Sequence, residues 1–369
     1  MDECWPVTVG VEEEFVLLDP VTGEASPVAP RVLARLGDEP GVTPEFLHYQ
    51  VETATSVCRS LDEVRADLTR LRRLVARSAE YAGSVAVATG VAPYGTGTGT
   101  PKVTTDRRYL ELAKRFPEFV ADAGTCACHV HVGIPSRESG VHVLRALRPW
   151  LPILLAISAN SPYLRGRDSG RASVRYSLWS RWPTARPPAS WPEIGDYDAD
   201  VAEAIRTGAA LDARSVYFYA RLSPRFPTVE VRIADSCLDV EDSVLLAGLV
   251  RGLVITALER DHFGAKVIED ARLATALSIA ARHGLAGPGV DVHSGAVVSQ
   301  ARLAERLLEH VRPALCACGD AGLVTRRLAE VVARGGGAVR QRVLRADSGS
   351  PGEFVTRLGE ATTGGSGAR

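Results

Sequence analysis

No sign of charge dominates this chain: 43 basic and 44 acidic residues nearly cancel over 369 positions, so nothing suggests a nucleic-acid or membrane-surface protein. A basic start followed by an apolar segment, the mark of a secretory leader, is missing; the N-terminus is acidic and reaches a strand pattern within a few residues. Long hydrophobic runs are missing too. The longest apolar helix-like stretch, Val143 to Ala159, is interrupted by Arg145, Arg148, Pro149 and Pro152, which argues against a bilayer span and for a buried helix. Seven cysteines, an odd number in a long chain, point to reduced thiols in the cytoplasm. No internal repeat is evident. A mean hydropathy near zero and 24% charged residues fit a soluble enzyme, long enough for one large α/β domain or two smaller ones.

Against this ordinary background, three carboxylates stand in a row inside an apolar run. The segment Val7-Thr-Val-Gly-Val-Glu-Glu-Glu-Phe-Val-Leu-Leu18 reads as a strand bounded by Pro6 and Asp19-Pro20. Side chains alternate along a strand, so Glu12 and Glu14 share one face, roughly 6–7 Å apart, and Glu13 lies on the other. Alone, the pair repels.

Further along, Ser60-Leu-Asp-Glu63 opens a helix as a capping box, with Leu61, Val64, Leu68, Leu71 and Val75 on one stripe to about Tyr81. Ser84 to Gly90 reads as a buried strand, Asp239 to Arg260 as an apolar helix, and 271–335 as helices ending at Gly335-Gly-Gly337. The small polar residues 361–369 are expected to be disordered. The glycine-rich Tyr94-Gly-Thr-Gly-Thr-Gly-Thr-Pro101 lacks the Lys-Ser/Thr pair of a P-loop and opens no obvious helix, so it reads as a loop able to close over a substrate.

Three more runs repeat the doublet of Glu12 and Glu14: Gln50 and Glu52, His129 and His131, and Glu230 and Arg232, each pair framed by apolar residues of the opposite face. Four half-buried strands with one solvated face would explain the alternation but not the choice of residues. Such a face ordinarily carries Thr, Lys, Ser and Arg. If the doublets converge, their carboxylates need cations, and oxygen ligands with imidazole suit Mg²⁺ or Mn²⁺, ions that also bridge phosphate oxygens. Arg232 beside Glu230 offers a planar donor to a transferring phosphoryl group, so the constellation suggests a nucleoside-triphosphate site. The Cys-x-Cys pairs at 126/128 and 316/318 read as small buried thiols on the helix-covered face rather than zinc ligands, because alternation sets Cys126 and Cys128 opposite His129 and His131.

Several motifs together resemble the bacterial carboxylate-amine ligases, the YbdK-type glutamate–cysteine ligase family, type 2. They are Gly-Val-Glu-Glu-Glu-Phe at 10–15, Gln-Val-Glu at 50–52, His-Val-His-Val-Gly at 129–133, Ser-Ala-Asn-Ser-Pro at 158–162, Arg-Trp-Pro-Thr-Ala at 181–185 and Arg-Phe-Pro-Thr-Val-Glu-Val-Arg at 225–232, in order from about residue 7 to 345. The resemblance implies an α+β fold akin to glutamine synthetase and the guanidino kinases: a curved, mainly antiparallel sheet with helices on its outer face. It implies one catalytic domain over residues 1–345, followed by a partly disordered tail at 346–369, and a homodimer. It also implies ATP-dependent amide formation through an acyl phosphate, from small-molecule carboxylate and amine substrates.

By motif position, Glu12, Glu14, Glu52, His129 and Glu230 match metal ligands, and Arg232 matches the arginine that stabilises the γ-phosphoryl group. His131 shares that face and reads equally as a substrate contact or a core histidine. Asn160, Ser161, Arg175 and Arg181 fall in the segment implied to hold substrate, with Arg175 the leading candidate for a carboxylate clamp, and Arg340 lies in Ala338-Val-Arg-Gln-Arg342, implied to close the ATP site. Departures from the family pattern cluster near the implied pocket: His48-Tyr49 before Gln-Val-Glu, Gly170-Arg-Ala-Ser-Val-Arg175, and the Gly-Thr repeat. The chemistry is therefore better supported than the substrates. A metal-dependent amide hydrolase and a non-catalytic ligand-binding relative are the alternatives; the first predicts metal-dependent cleavage without ATP.

Overall fold

The computed structural model describes residues 7–97, 100–120, 124–259 and 268–364. Its centre is a seven-stranded sheet of β1 (Val9–Leu18), β2 (Val42–Pro44), β3 (Gln50–Ala54), β4 (Val85–Val87), β5 (Ala127–Gly133), β6 (Ala220–Leu222) and β7 (Thr228–Asp235), in the order β2-β3-β1-β5-β7-β6. The one remaining strand, β4, pairs with the C-terminal half of β1, and every pairing is antiparallel. The four strands expected from the doublets are thus β1, β3, β5 and β7, and they lie side by side.

One face of the sheet is apolar because every second residue is. Val11, Val130, Val132, Val229, Val231 and Ile233 are all buried against the helix layer. The helix Val240–Glu259 runs behind them, buried from Asp242 to Ala257, and is itself covered by Gln300–Ala317 and Ala321–Arg334. Gly248 and Gly252, one turn apart, permit that approach: a Cβ would stand 2.7 Å from Val324 at the first and 3.0 Å from Val311 at the second.

The helix Leu61–Tyr81 begins where the sequence predicts, with Ser60 Oγ accepting from the Glu63 amide, but the Glu63 carboxylate accepts from the Arg59 amide, one residue before the N-cap amide a capping box would use. From it, Arg72 crosses to the middle carboxylate of the triplet. Its Nη2 and Nε meet the two oxygens of Glu13 at 2.6 and 2.8 Å, Ser243 adds a third donor at 2.5 Å, and both partners are fully buried. The triplet therefore splits: Glu13 ties the helix layer to the sheet, and Glu12 and Glu14 face away from it.

Two expectations are corrected. The apolar run does not begin at Val143; its helix starts at Arg137, yields to a 3₁₀ turn at Arg148–Trp150 where Pro149 removes a donor, and resumes as Leu151–Ser158. Although long and apolar enough to cross a bilayer, Arg137–Ser158 is mostly buried within the fold. The segment set aside as a tail instead carries the helix Pro351–Thr363, with Phe354, Val355 and Leu358 fully buried and Thr362 accepting from Arg72 and from the Ala88 amide. Its i, i+1, i+4 apolar spacing was present in the sequence but masked by the polar residues around it. Residues 365–369 lie outside the described residues.

Candidate active site

The polar face of β1, β3, β5 and β7 floors a cavity of about 160 Å³, walled by segments around 107–112, 175–182 and 214–226. Strand register alone brings the charges together. Glu12 pairs with His129 across β1–β5, Glu14 with Glu52 across β1–β3, and Glu230 with His131 across β7–β5. Directly opposed residues bring their side chains together, so four sequence-distant doublets become one cluster.

His129 Nδ1 lies 3.2 Å from Glu12 Oε2 and its Nε2 3.9 Å from Glu14 Oε1; His131 Nε2 lies 3.4 Å from Glu12 Oε1 and 4.0 Å from Glu230 Oε1. Three overlapping groups each place their ligand atoms within 4.8 Å of one another: Glu12–His131–Glu230, Glu12–Glu52–His129 and Glu14–Glu45–Glu52. Carboxylate oxygens with one imidazole are the donor set of hard divalent cations. Zinc thiolate ligands are not among them: Cys126 and Cys128 are both buried in the main core, and Cys126 accepts a hydrogen bond from Gln50 Nε2 at 3.4 Å. Cys316 is exposed and Cys318 half-buried, not enclosed as expected, because they end a surface helix.

The electrostatics divide this face in two. On the β7 side, Glu230 is held well below the usual carboxylate range: burial opposes this, but the charges of Arg221 and Arg232 outweigh it. Burial would likewise raise Glu12, yet hydrogen bonds from His129 and His131 keep it low. On the β3 side the sign reverses. Burial and the charge of Glu45 push Glu14 up to about 8; burial, then Glu12, Glu45 and Glu14, raise Glu52; and burial raises Glu45. His129 is pushed down to about 4 by burial and Arg232, leaving a neutral ring suited to a cation. Five glutamates thus crowd the cavity, and among the described residues arginines form ion pairs with Glu230 alone of the five, the condition divalent cations relieve.

Of the residues expected to bind substrate, Arg175 reaches the cavity. It is buried, stacks over Trp179 with its guanidinium 4.8 Å from the ring centre, and donates to the carbonyls of Ile233 and Arg232. Asn160 and Ser161 do not line the cavity. They are consumed in a buried network on Asp235, whose Oδ2 accepts from the Asn160 amide at 2.9 Å and Ser161 Oγ at 2.7 Å. Arg181 is exposed beside Phe119, outside the lining. Arg340 is placed in an ion cluster with Asp239 at 2.7 Å, alongside Arg327 and Arg334, and also lies outside the lining. Arginines on helices flanking a buried aspartate pair have that local partner, which the family motif alone did not reveal. The glycine repeat borders a separate cavity of about 420 Å³ with Tyr49, Tyr94 and Leu164; residues 98–99 lie outside the described residues.

Two cavity residues, Glu45 and Arg221, escaped the sequence reading. Glu45 comes from the turn between β2 and β3, has no alternation to mark it, and accepts from Tyr109 Oη at 3.1 Å. Arg221 sits opposite Glu230 in the β6–β7 hairpin, and counting outward from that turn gives a signal that would have found it.

The profile of glutamate-cysteine ligase family 2 matches residues 8–366. A Saccharopolyspora erythraea protein with the provisional name glutamate–cysteine ligase 2-1 is 43% identical over 352 residues, covering 95% of this chain and 94% of its own. A Salinispora arenicola protein provisionally named glutamate–cysteine ligase 2 is 45% identical over 340 residues, covering 91% and 89%. Among solved structures, the glutamate–cysteine ligase of Francisella tularensis in complex with AMP superposes with a TM-score of 0.71 at 12% identity, over 97% of this chain and 88% of that one. The bifunctional glutathione synthetase of Pasteurella multocida gives 0.67 at 14% identity, over 97% of this chain and 52% of that one. At such identities these two structures show a shared fold.

Proposed function

The chain belongs to glutamate-cysteine ligase family 2, and from that premise we propose that it uses ATP to convert a substrate carboxylate into an acyl phosphate and then joins it to an amine. The substrates proposed are amino acids, with a γ-glutamyl amide as product, as the names of its relatives suggest. One observation carries the reading: five glutamates and two histidines line one cavity together with Arg232. A site this acidic suits a polyphosphate only if cations stand between them.

The residues that would hold Mg²⁺ or Mn²⁺ are Glu12, Glu14, Glu45, Glu52, Glu230, His129 and His131. Divalent cations bound there would screen the triphosphate and polarise its γ-phosphoryl group. Arg232 spends Nη1 on Glu230 and has no hydrogen-bond partner at Nε among the described residues, so its remaining donors can meet phosphoryl oxygens as negative charge moves to the leaving group. Arg175, with Nε likewise without a partner, is the proposed clamp for the carboxylate that attacks the γ-phosphorus. The walls contributed by Trp179, Trp182 and Phe226 would limit water around the acyl phosphate before the amine displaces phosphate. A homodimer working in the cytoplasm, where ATP is supplied, completes the proposal.

The test is phosphate release from ATP and Mg²⁺ across a matrix of amino acids and small carboxylates, with mass spectrometry of each positive reaction. Phosphate release coupled to an amide product is expected. Metal-dependent cleavage without ATP consumption would instead favour a hydrolase, and elution at monomer mass in light scattering would remove the dimer.

A further inference from the structure

We propose that Arg221 is a positioning residue that fixes Glu230 for cation binding and leaves Arg232 available to the phosphoryl group; the inference rests on the ligase reading of this site. The two arginines flank one carboxylate yet differ in how their donors are used. Arg221 Nε meets Glu230 Oε2 at 2.8 Å and Nη2 meets Oε1 at 3.2 Å, a fork that fixes the plane of the carboxylate. Its Nη1 donates twice more, to the carbonyls of Arg214 and Val216 at 2.9 and 2.8 Å. Four of the five N–H groups of this guanidinium are therefore occupied within the protein, and it cannot turn toward a substrate. Among the described residues, the Arg232 guanidinium makes one hydrogen bond, through Nη1, to the same Glu230.

The consequence is a division of labour. Glu230 Oε1 is the oxygen nearest His131 Nε2, at 4.0 Å, so the Glu12–His131–Glu230 group uses the carboxylate that Arg221 anchors. An unanchored glutamate in an acidic cluster would turn toward Arg232. Held from behind by Arg221, Glu230 keeps one oxygen directed at the cation position when Arg232 leaves for a phosphoryl oxygen. No bond is made or broken by Arg221; it acts through Glu230.

The experiment is Mn²⁺ binding to the full-length protein, read by electron paramagnetic resonance, in wild type, Arg221→Gln, Arg221→Lys, Glu230→Gln and the Arg221→Gln/Glu230→Gln double variant, with folding checked by circular dichroism. Arg221→Gln is expected to weaken Mn²⁺ binding about tenfold or more, the scale on which partners of metal ligands act, with Arg221→Lys intermediate. In steady state, kcat is expected to fall while KM for the carboxylate and amine stays within about twofold. Because Arg221 acts through Glu230, the double variant is expected to bind Mn²⁺ no more weakly than Glu230→Gln alone. Wild-type Mn²⁺ affinity in folded Arg221→Gln, or additive losses in the double variant, would overturn this inference alone. Should Arg221→Gln not fold, the same two outcomes are read from Arg221→Lys. No Mn²⁺ binding by wild type would overturn the metal reading of the site and this inference with it.

Discussion

The two faces of β1 solve one electrostatic problem in opposite ways. Glu13 on the helix side and Glu12 and Glu14 on the cavity side are consecutive residues. Glu13 is fully enclosed and meets Arg72 through two hydrogen bonds, so its charge is balanced inside the protein. Glu14, 8% exposed, receives one backbone amide, faces Glu52 and has its carboxyl pushed up to about 8. A carboxylate built for stability is paired by the chain itself. Under the proposed function, Glu14 is left for an incoming cation to balance.

The largest expected effect breaks the stable side of that comparison. Arg72→Met leaves Glu13 buried without its partner and is expected to cost about 3–5 kcal/mol in unfolding free energy, measured by urea denaturation. A loss below about 1 kcal/mol would mean that the two faces do not differ in kind. On the other face, Glu12→Gln gives up the hydrogen bonds of an ionised carboxylate with His129 and His131, so it is expected to lower the melting temperature slightly and ATP turnover about 10²–10³-fold, the scale of losing one electrostatic group in a reaction centre. Unchanged turnover in a folded variant would remove Glu12 from the site. Glu45→Gln is expected to lower turnover by less, about 10–100-fold, and to raise the Mg²⁺ concentration needed for half-maximal rate; an unchanged Mg²⁺ requirement would make Glu45 a wall residue.

The smallest expected effect sharpens the comparison through pH. Glu14 has a folded-state pKa raised to about 8, so its contribution to stability is fully present below the ordinary carboxylate range and is lost as pH rises through about 8. In metal-free protein the stability of wild type relative to Glu14→Gln is therefore expected to decline from about pH 5 to pH 8. Divalent cations must displace that proton, so Mn²⁺ affinity should rise over the same interval, with proton release seen in weakly buffered calorimetry. A wild-type affinity flat from pH 6 to pH 8 would contradict the assignment of Glu14 as a ligand.

Much of the site was legible because strand alternation is a local rule. Period two placed Glu12 and Glu14, Gln50 and Glu52, His129 and His131, and Glu230 and Arg232 on one face before any contact was known, and β1, β3, β5 and β7 put them together. Gln50 alone turned inward, donating to the Thr125 carbonyl and Cys126 rather than lining the cavity. Glu45 and Arg221 were not legible in the same way, since one sits in a turn and the other becomes relevant only through its partner across a hairpin. Asn160, Ser161 and Arg340 carried family motifs, yet their polar atoms are used by Asp235, by backbone carbonyls and by Asp239.

The sequence by itself determined which residues could share a face, the helix beginning at Ser60, the apolar helix behind the sheet, and the acidic character of the reaction centre. These depend on spacing and composition within a few residues. Tertiary structure decided which carboxylate each arginine neutralises: Arg72 took Glu13, Arg221 took Glu230, and among the described residues Glu12, Glu14, Glu45 and Glu52 were left without one. That choice depends on which side chains meet after strands and helices from five distant segments pack, and a Coulomb interaction at 3 Å has no signature in the order of residues along the chain.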